Sequence, residues 1–241
     1  MENVLFRCSS LGHLMTEPIS KADKEAGNLS ESAKTNLIDI YVRETYGRQT
    51  DISSKFIEKG LMVEEDSITL YSRVKKNFFK KNEEHLSNEF LRGTPDLFTG
   101  KSIDTADCII DIKSSWDIFT FFRAKHKKIN PLYYWQLQGY MALTGAKKAT
   151  LAYCLVNTPD AFIQDEKRKV FYKMNIATED NEVYQEACKH LDLAMTYEDI
   201  PMEDRIAEFH IERDEAGIER LYQKVEKARE YLNQMAGLQL A

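Results

Sequence analysis

Three short stretches of the chain carry residue types suited to metal-assisted hydrolysis: Gly93-Thr94-Pro95-Asp96, Ile109-Ile110-Asp111-Ile112-Lys113 and Gln136-Leu137-Gln138-Gly139-Tyr140. Carboxylates are hard oxygen ligands of the kind Mg²⁺ takes. A cation beside a lysine can activate a water and neutralise charge on a phosphodiester. Side chains alternate across a strand, so Asp111 and Lys113 would leave the same face. If Asp96 lies on a partner strand, both acids reach one cation, with the Ile112 carbonyl as a further oxygen ligand. D-x-K triplets are common on exposed strands. Asp111, however, ends the apolar run Cys108-Ile109-Ile110, where an unpaired carboxylate is costly, and that favours a functional acid.

Gln136 and Tyr140 are four residues apart and share one helical face, from which they can hydrogen-bond a phosphate or hold Lys113. Upstream, Gly60, Glu64, Ser67 and Tyr71 recur at spacings of 4, 3 and 4, which puts Glu64 on the inner face of a helix. A second Pro-Asp, Pro159-Asp160, is followed by no acid-x-Lys strand and reads as a helix start.

These residues need elements to position them. Ser9 or Ser10 can cap a short helix over 11–15, and the spacing of Leu37, Ile40, Tyr41 and Tyr46 predicts a helix over 30–46 ending at Gly47. Residues 55–73 read as another helix. Residues 89–98 and 107–113 read as a hairpin around Gly100, and 119–128 and 133–143 as helices. The run ATLAYCLV over 149–156 is a strand buried on both faces. A helix opens at Thr158-Pro159, another spans 181–197, 206–211 is a strand, and 215–235 is a long closing helix. The order predicts an α/β protein with a central mixed β-sheet flanked by helices.

The 241 residues suffice to bury a core without staples, and no repeat or linker divides them. They are read as one domain, 1–241, with a helical N-terminal part (1–54), a catalytic core (55–156) and C-terminal helices and strand (157–241). Cys8, Cys108, Cys154 and Cys188 form no C-x-x-C pair, which argues against zinc or iron–sulfur binding and suits a reducing cytoplasm. No membrane-spanning run and no signal peptide are expected. A net charge of −6 has the wrong sign for holding nucleic acid by bulk electrostatics. The basic runs Arg73–Lys81 and Arg123–Lys128 could carry phosphate contacts locally, or be solvated surface.

The ordered set of a helical acid, Pro-Asp, acid-x-Lys and Q-x-x-x-Y resembles the PD-(D/E)xK nuclease superfamily, with its restriction-endonuclease-like core. More narrowly, the chain resembles the lambda exonuclease-like (YqaJ-type viral recombinase) family. Gly60-x-x-x-Glu64-x-x-Ser67 is similar to that family's G-x-x-x-E-x-x-A, Gly93–Asp96 to its S-P-D turn, and Asp111-Ile112-Lys113 to its E-x-K with Asp for the usual Glu. Gln136-Leu137-Gln138 is similar to its Q-x-Q, and 209–215 to the junction opening its last helix.

The resemblance implies a Mg²⁺- or Mn²⁺-dependent deoxyribonuclease, using one or two ions, that degrades one strand of linear duplex DNA, 5′ to 3′, in phage-type recombination. Asp96, Asp111 and the Ile112 carbonyl would match metal ligands, and Lys113 the residue that helps activate water. Glu64 would match an acid supporting a second metal or orienting a water, and Gln136 a residue near the lysine or the scissile phosphate. Ser10 would match a serine receiving the 5′-phosphate; Arg7 is nearby, at a spacing unlike that of the family's arginine. Gln138 and Tyr140 complete the candidate DNA contacts. Double-stranded DNA ends, a single-strand annealing protein and a toroidal homotrimer are the implied partners and assembly. Open alternatives are a RecB-like or structure-selective endonuclease, a non-catalytic DNA-end-binding protein, and an unrelated α/β protein.

Overall fold

A computed structural model describes residues 1, 3–49 and 54–238. In chain order these form β1 (Phe6–Arg7), α1 (Leu11–Leu14), α2 (Lys21–Glu25), α3 (Glu31–Tyr46), α4 (Lys55–Met62), α5 (Glu64–Lys75), β2 (Leu86–Ser87), β3 (Leu91–Gly93) and β4 (Leu97–Thr99). There follow β5 (Cys108–Ser114), α6 (Ile118–Lys125), α7 (Pro131–Thr144), β6 (Lys148–Cys154), α8 (Asp160–Met174), α9 (Glu182–Met195), β7 (Ile206–Glu212) and α10 (Glu215–Leu238). The expected boundary at residues 54/55 adjoins 50–53, which lie outside the described residues.

The main sheet has the order β4-β5-β6-β7, with β5 and β6 parallel and both outer pairs antiparallel. A smaller sheet has the order β1-β3-β2. The expected mixed sheet between helices is therefore what the chain builds. The period-2 rule divides its side chains into two cores. Ile109, Ala149, Leu151 and Ile211 pack with α3, α7 and α10, whereas Ile110, Ile112, Ala152 and Cys154 pack beneath α5. Each fully buried Leu or Ile contributes about 1.5–3 kcal/mol, which is why β6 reads as one apolar run and not as an alternating strand.

Two expected elements are divided. Residues 89–98 are not one arm of a hairpin: β3 joins the small sheet, and only β4 pairs with β5. Pro95 has no N–H for a ladder, and Asn82 grips the bend between them, donating Nδ2 to the Pro95 carbonyl at 2.9 Å and its backbone N–H to the Asp96 carbonyl at 2.8 Å. Gly100 turns the chain from β4 towards β5 at φ +122°, a conformation that favours glycine.

The helix expected over 55–73 breaks at Val63, so Gly60 and Glu64 do not share a helix face. The break serves two anchors. Lys59 of α4, 1% exposed, donates to the carbonyls of Ser115 and Trp116 at 2.6 and 2.8 Å and to Thr158 Oγ1 at 2.8 Å. On α5, Ser67 Oγ meets Ser114 Oγ at 2.8 Å, laying that helix on β5. The cysteines Cys8, Cys108, Cys154 and Cys188 are free thiols, and no helix among the described residues is long and apolar enough to cross a membrane.

Candidate active site

The site is built where β4 meets β5. Leu97 pairs with Ile110, so the antiparallel register continued by one residue sets Asp96 level with Asp111. Asp96 Oδ2 accepts the Ile112 backbone N–H at 2.8 Å. Asp111 is 1% exposed; its Oδ1 accepts from Gln136 Nε2 at 3.0 Å, and Lys113 Nζ lies 2.5 Å from its Oδ2. Apart from that ion pair Oδ2 has no hydrogen-bond partner. The strand, the turn before it and α7 thus bring Asp96, Asp111, Lys113, Gln136 and Tyr140 together.

Electrostatics follow from burial. Burial and then the Asp111 charge push the Asp96 carboxyl up to about 7, with Glu64 adding a smaller push. For Lys113 burial alone would lower the pKa, but the Asp111 and Asp96 carboxylates outweigh it and hold the ammonium above its usual range. Lys113 Nζ also lies 5.2 Å from the centre of the Tyr133 ring, a cation–π contact. Burial and the Asp111 charge raise Tyr140, whose hydroxyl oxygen accepts from Gln136 Nε2 at 3.0 Å.

Glu64 begins α5 and accepts from Lys81 Nζ at 2.5 Å. Its charge reaches Asp96, and Lys81 engages only its Oε2. Among the described residues no three His, Cys, Asp or Glu side chains form a metal-holding group. The donors for a cation are Asp96, Asp111 and the Ile112 carbonyl, with Glu64 Oε1 a further carboxylate oxygen. Mg²⁺ commonly takes only one or two carboxylates and completes its octahedron with waters and substrate phosphate oxygens, so this set fits it; Asp111 Oδ2, short of partners, is the acceptor such an ion would use.

The remaining candidates separate. Gln138 is fully buried, its Nε2 donating to the Glu212 carbonyl and its Oε1 accepting the Asp214 N–H, both at 2.9 Å. It ties α7 to the β7–α10 junction and has no surface for DNA. Ser10 Oγ donates to the Arg7 carbonyl at 2.9 Å, and Ser9, not Ser10, lines the neighbouring cavity. That cavity, about 500 Å³, is walled by Arg7, Ser9, His85, Arg92, Thr94 and Tyr140. Arg7 and Arg92 are cross-strand partners in the parallel β1–β3 pair. Arg7 is held below the usual arginine range by burial and by Arg43 and Arg92, with Glu44, ion-paired to Arg92, offsetting part of that charge. Gly93 allows Tyr140 to approach, since a Cβ there would stand 2.7 Å from its ring.

Sequence spacing missed Arg92, Asn82 and Tyr133. Arg92 stood one residue before the Gly93–Asp96 stretch and Tyr133 three before Gln136. Nothing in the spacing marked Asn82.

A strand bearing Asp111-x-Lys113, a Pro-Asp turn beside it and an acid at the head of a covering helix define the PD-(D/E)xK core. Solved structures agree. A phage-related exonuclease from Haemophilus somnus 129PT superposes with a TM-score of 0.75 at 29% identity, covering 98% of this chain and 97% of that one. The alkaline exonuclease LHK-Exo from Laribacter hongkongensis matches with a TM-score of 0.62 at 15% identity, over 100% of this chain and 96% of that one. The same enzyme in complex with dAMP gives 0.62 at 16% identity, over 98% and 95%. No protein-family profile and no curated protein sequence matches the chain. The likeness to these exonucleases supports the resemblance to lambda exonuclease-like proteins within the PD-(D/E)xK class.

Proposed function

We propose that the protein is a divalent-metal-dependent deoxyribonuclease that hydrolyses one strand of linear duplex DNA from a 5′ end. The observation that carries this reading is the convergence of Asp96, Asp111 and Lys113 at the β4–β5 junction, with Gln136 holding Asp111. The exonuclease neighbours, one of them solved with dAMP, support it. Asp96, Asp111 and the Ile112 carbonyl would hold Mg²⁺ or Mn²⁺, which when bound polarises the scissile phosphate and its attacking water. Lys113 donates hydrogen bonds to that water or to the phosphate and offsets the charge that builds on it. Gln136 fixes the rotamer of Asp111, and Glu64, held by Lys81, adds negative charge beside Asp96.

The Arg7–Arg92 cavity is the receiving site for a 5′-terminal phosphate, in which Arg pairs give bidentate contacts. The reading extends to a ring of three chains around the duplex, in which an acidic chain needs favourable charge only along the channel wall, and to service of an annealing protein in phage-type recombination.

Digestion of linear and closed-circular duplexes, with Mg²⁺ or with EDTA, tests the reaction class. Metal-dependent loss of the linear form alone, faster with a 5′-phosphate than a 5′-hydroxyl, is expected. Cutting of the circle would replace this reading with the endonuclease one.

A further inference from the structure

No Asp or Glu occurs between Asp117 and Asp160, in a chain that otherwise carries 39 of them. This acid-free segment contains α6, which turns Phe121 fully into the core and leaves Phe119 and Phe122 59% and 41% exposed. The two exposed rings line a groove of about 690 Å³ with Ile118, Arg123, His126 and Lys127. Phe122 stacks on His126 with the rings 18° apart, and Lys125 Nζ lies 5.6 Å from its centre. An aromatic surface set in basic side chains is unlike the charge-depleted centre of a protein–protein interface. It matches the chemistry of a chain with a phosphate backbone and exposed ring faces.

The inner face of α6, behind the groove, is linked to the hydrolytic centre by contiguous packing. Tyr153, cross-strand partner of Lys113, packs against the cluster containing Phe121. Tyr133, which lies over Lys113, meets Tyr153 edge-to-face at 6.2 Å. We propose that the outer face of α6 is a binding site for single-stranded nucleic acid, with Phe119 and Phe122 stacking on unpaired bases and Arg123, Lys127 and Lys128 contacting phosphates. A duplex hides its base faces and cannot use the rings, so the site selects the unpaired strand. As the route of a strand separated at the active site it rests on the nuclease reading; as a binding site it does not.

The test is fluorescence anisotropy of a labelled oligothymidylate with the whole protein in EDTA, where no strand is cut. Because both rings are exposed, the Phe119→Ala/Phe122→Ala double variant should keep its thermal melt; its affinity should fall about tenfold or more, while Phe122→Trp retains affinity. Arg123→Gln/Lys127→Gln should lower the slope of log affinity against log salt by about 1.4. Unchanged oligothymidylate affinity in the double alanine variant would overturn the proposal, and a loss of self-association in that variant instead would assign the face to a second copy of the chain. Failure of the nuclease reading looks different: wild type would bind the oligonucleotide through α6 yet cut no duplex.

Discussion

Gln136, on α7, donates from its amide to Asp111 Oδ1 at 3.0 Å and so leaves Oδ2 to Lys113. One residue thus sets which oxygen of a buried acid meets the ammonium. Replacing it with Leu keeps the volume near native and removes the tie. Gln136→Leu should reduce activity and Mg²⁺ affinity about 10–100-fold, as loss of a supporting hydrogen bond commonly does. Titration of activity against metal concentration checks this.

Asp96 offers an opposition between stability and activity. Its folded pKa is raised to about 7 from an ordinary 3.8, so the folded state binds the proton more tightly than the unfolded state. Its contribution to stability is complete below about 4 and is lost as pH rises through about 7. Asp96→Asn, which can still accept the Ile112 N–H, should stabilise the metal-free protein at pH 8 by on the order of 1–2 kcal/mol. The same change should abolish hydrolysis. Thermal melts in EDTA, with activity assayed in parallel, decide it.

Asp111 behaves differently. Removing it would relieve carboxylate repulsion with Asp96. That gain is outweighed, because Asp111→Ala takes the ion-pair partner from the Lys113 ammonium and strands one amide hydrogen of Gln136. Breaking such a buried pair should cost about 3 kcal/mol, read as a lower denaturant midpoint.

Metal affinity should climb with pH. A cation competes with the proton on Asp96, and that group releases its proton only near 7. Calorimetric titration with Mn²⁺ at pH 6 and pH 8 should show markedly tighter binding at the higher value; pH-independent affinity would place the ion elsewhere.

Much of this was legible in the residues. Strands β5, β6 and β7 declared themselves through their apolar residues, and Asp111 and Lys113 through the period of a strand. What escaped depends on contacts between distant segments. Lys59 is an ordinary helical lysine until the segment after β5 presents it with the Ser115 and Trp116 carbonyls and the segment after β6 with the Thr158 hydroxyl. Gln138 sits beside Gln136 in sequence, yet the rotation of α7 sends it to the opposite end of the sheet's network. Arg92 joins Arg7 only because a two-residue strand pairs with β3.

The direct measurement is the single-turnover rate on end-labelled linear duplex in saturating Mg²⁺ for wild type and Lys113→Ala. A variant that stays folded, though with a lower melting point because Asp111 loses its buried partner, and is slower by about 10²–10⁴-fold is the predicted result. A rate within a few-fold of wild type would contradict the assignment of this site.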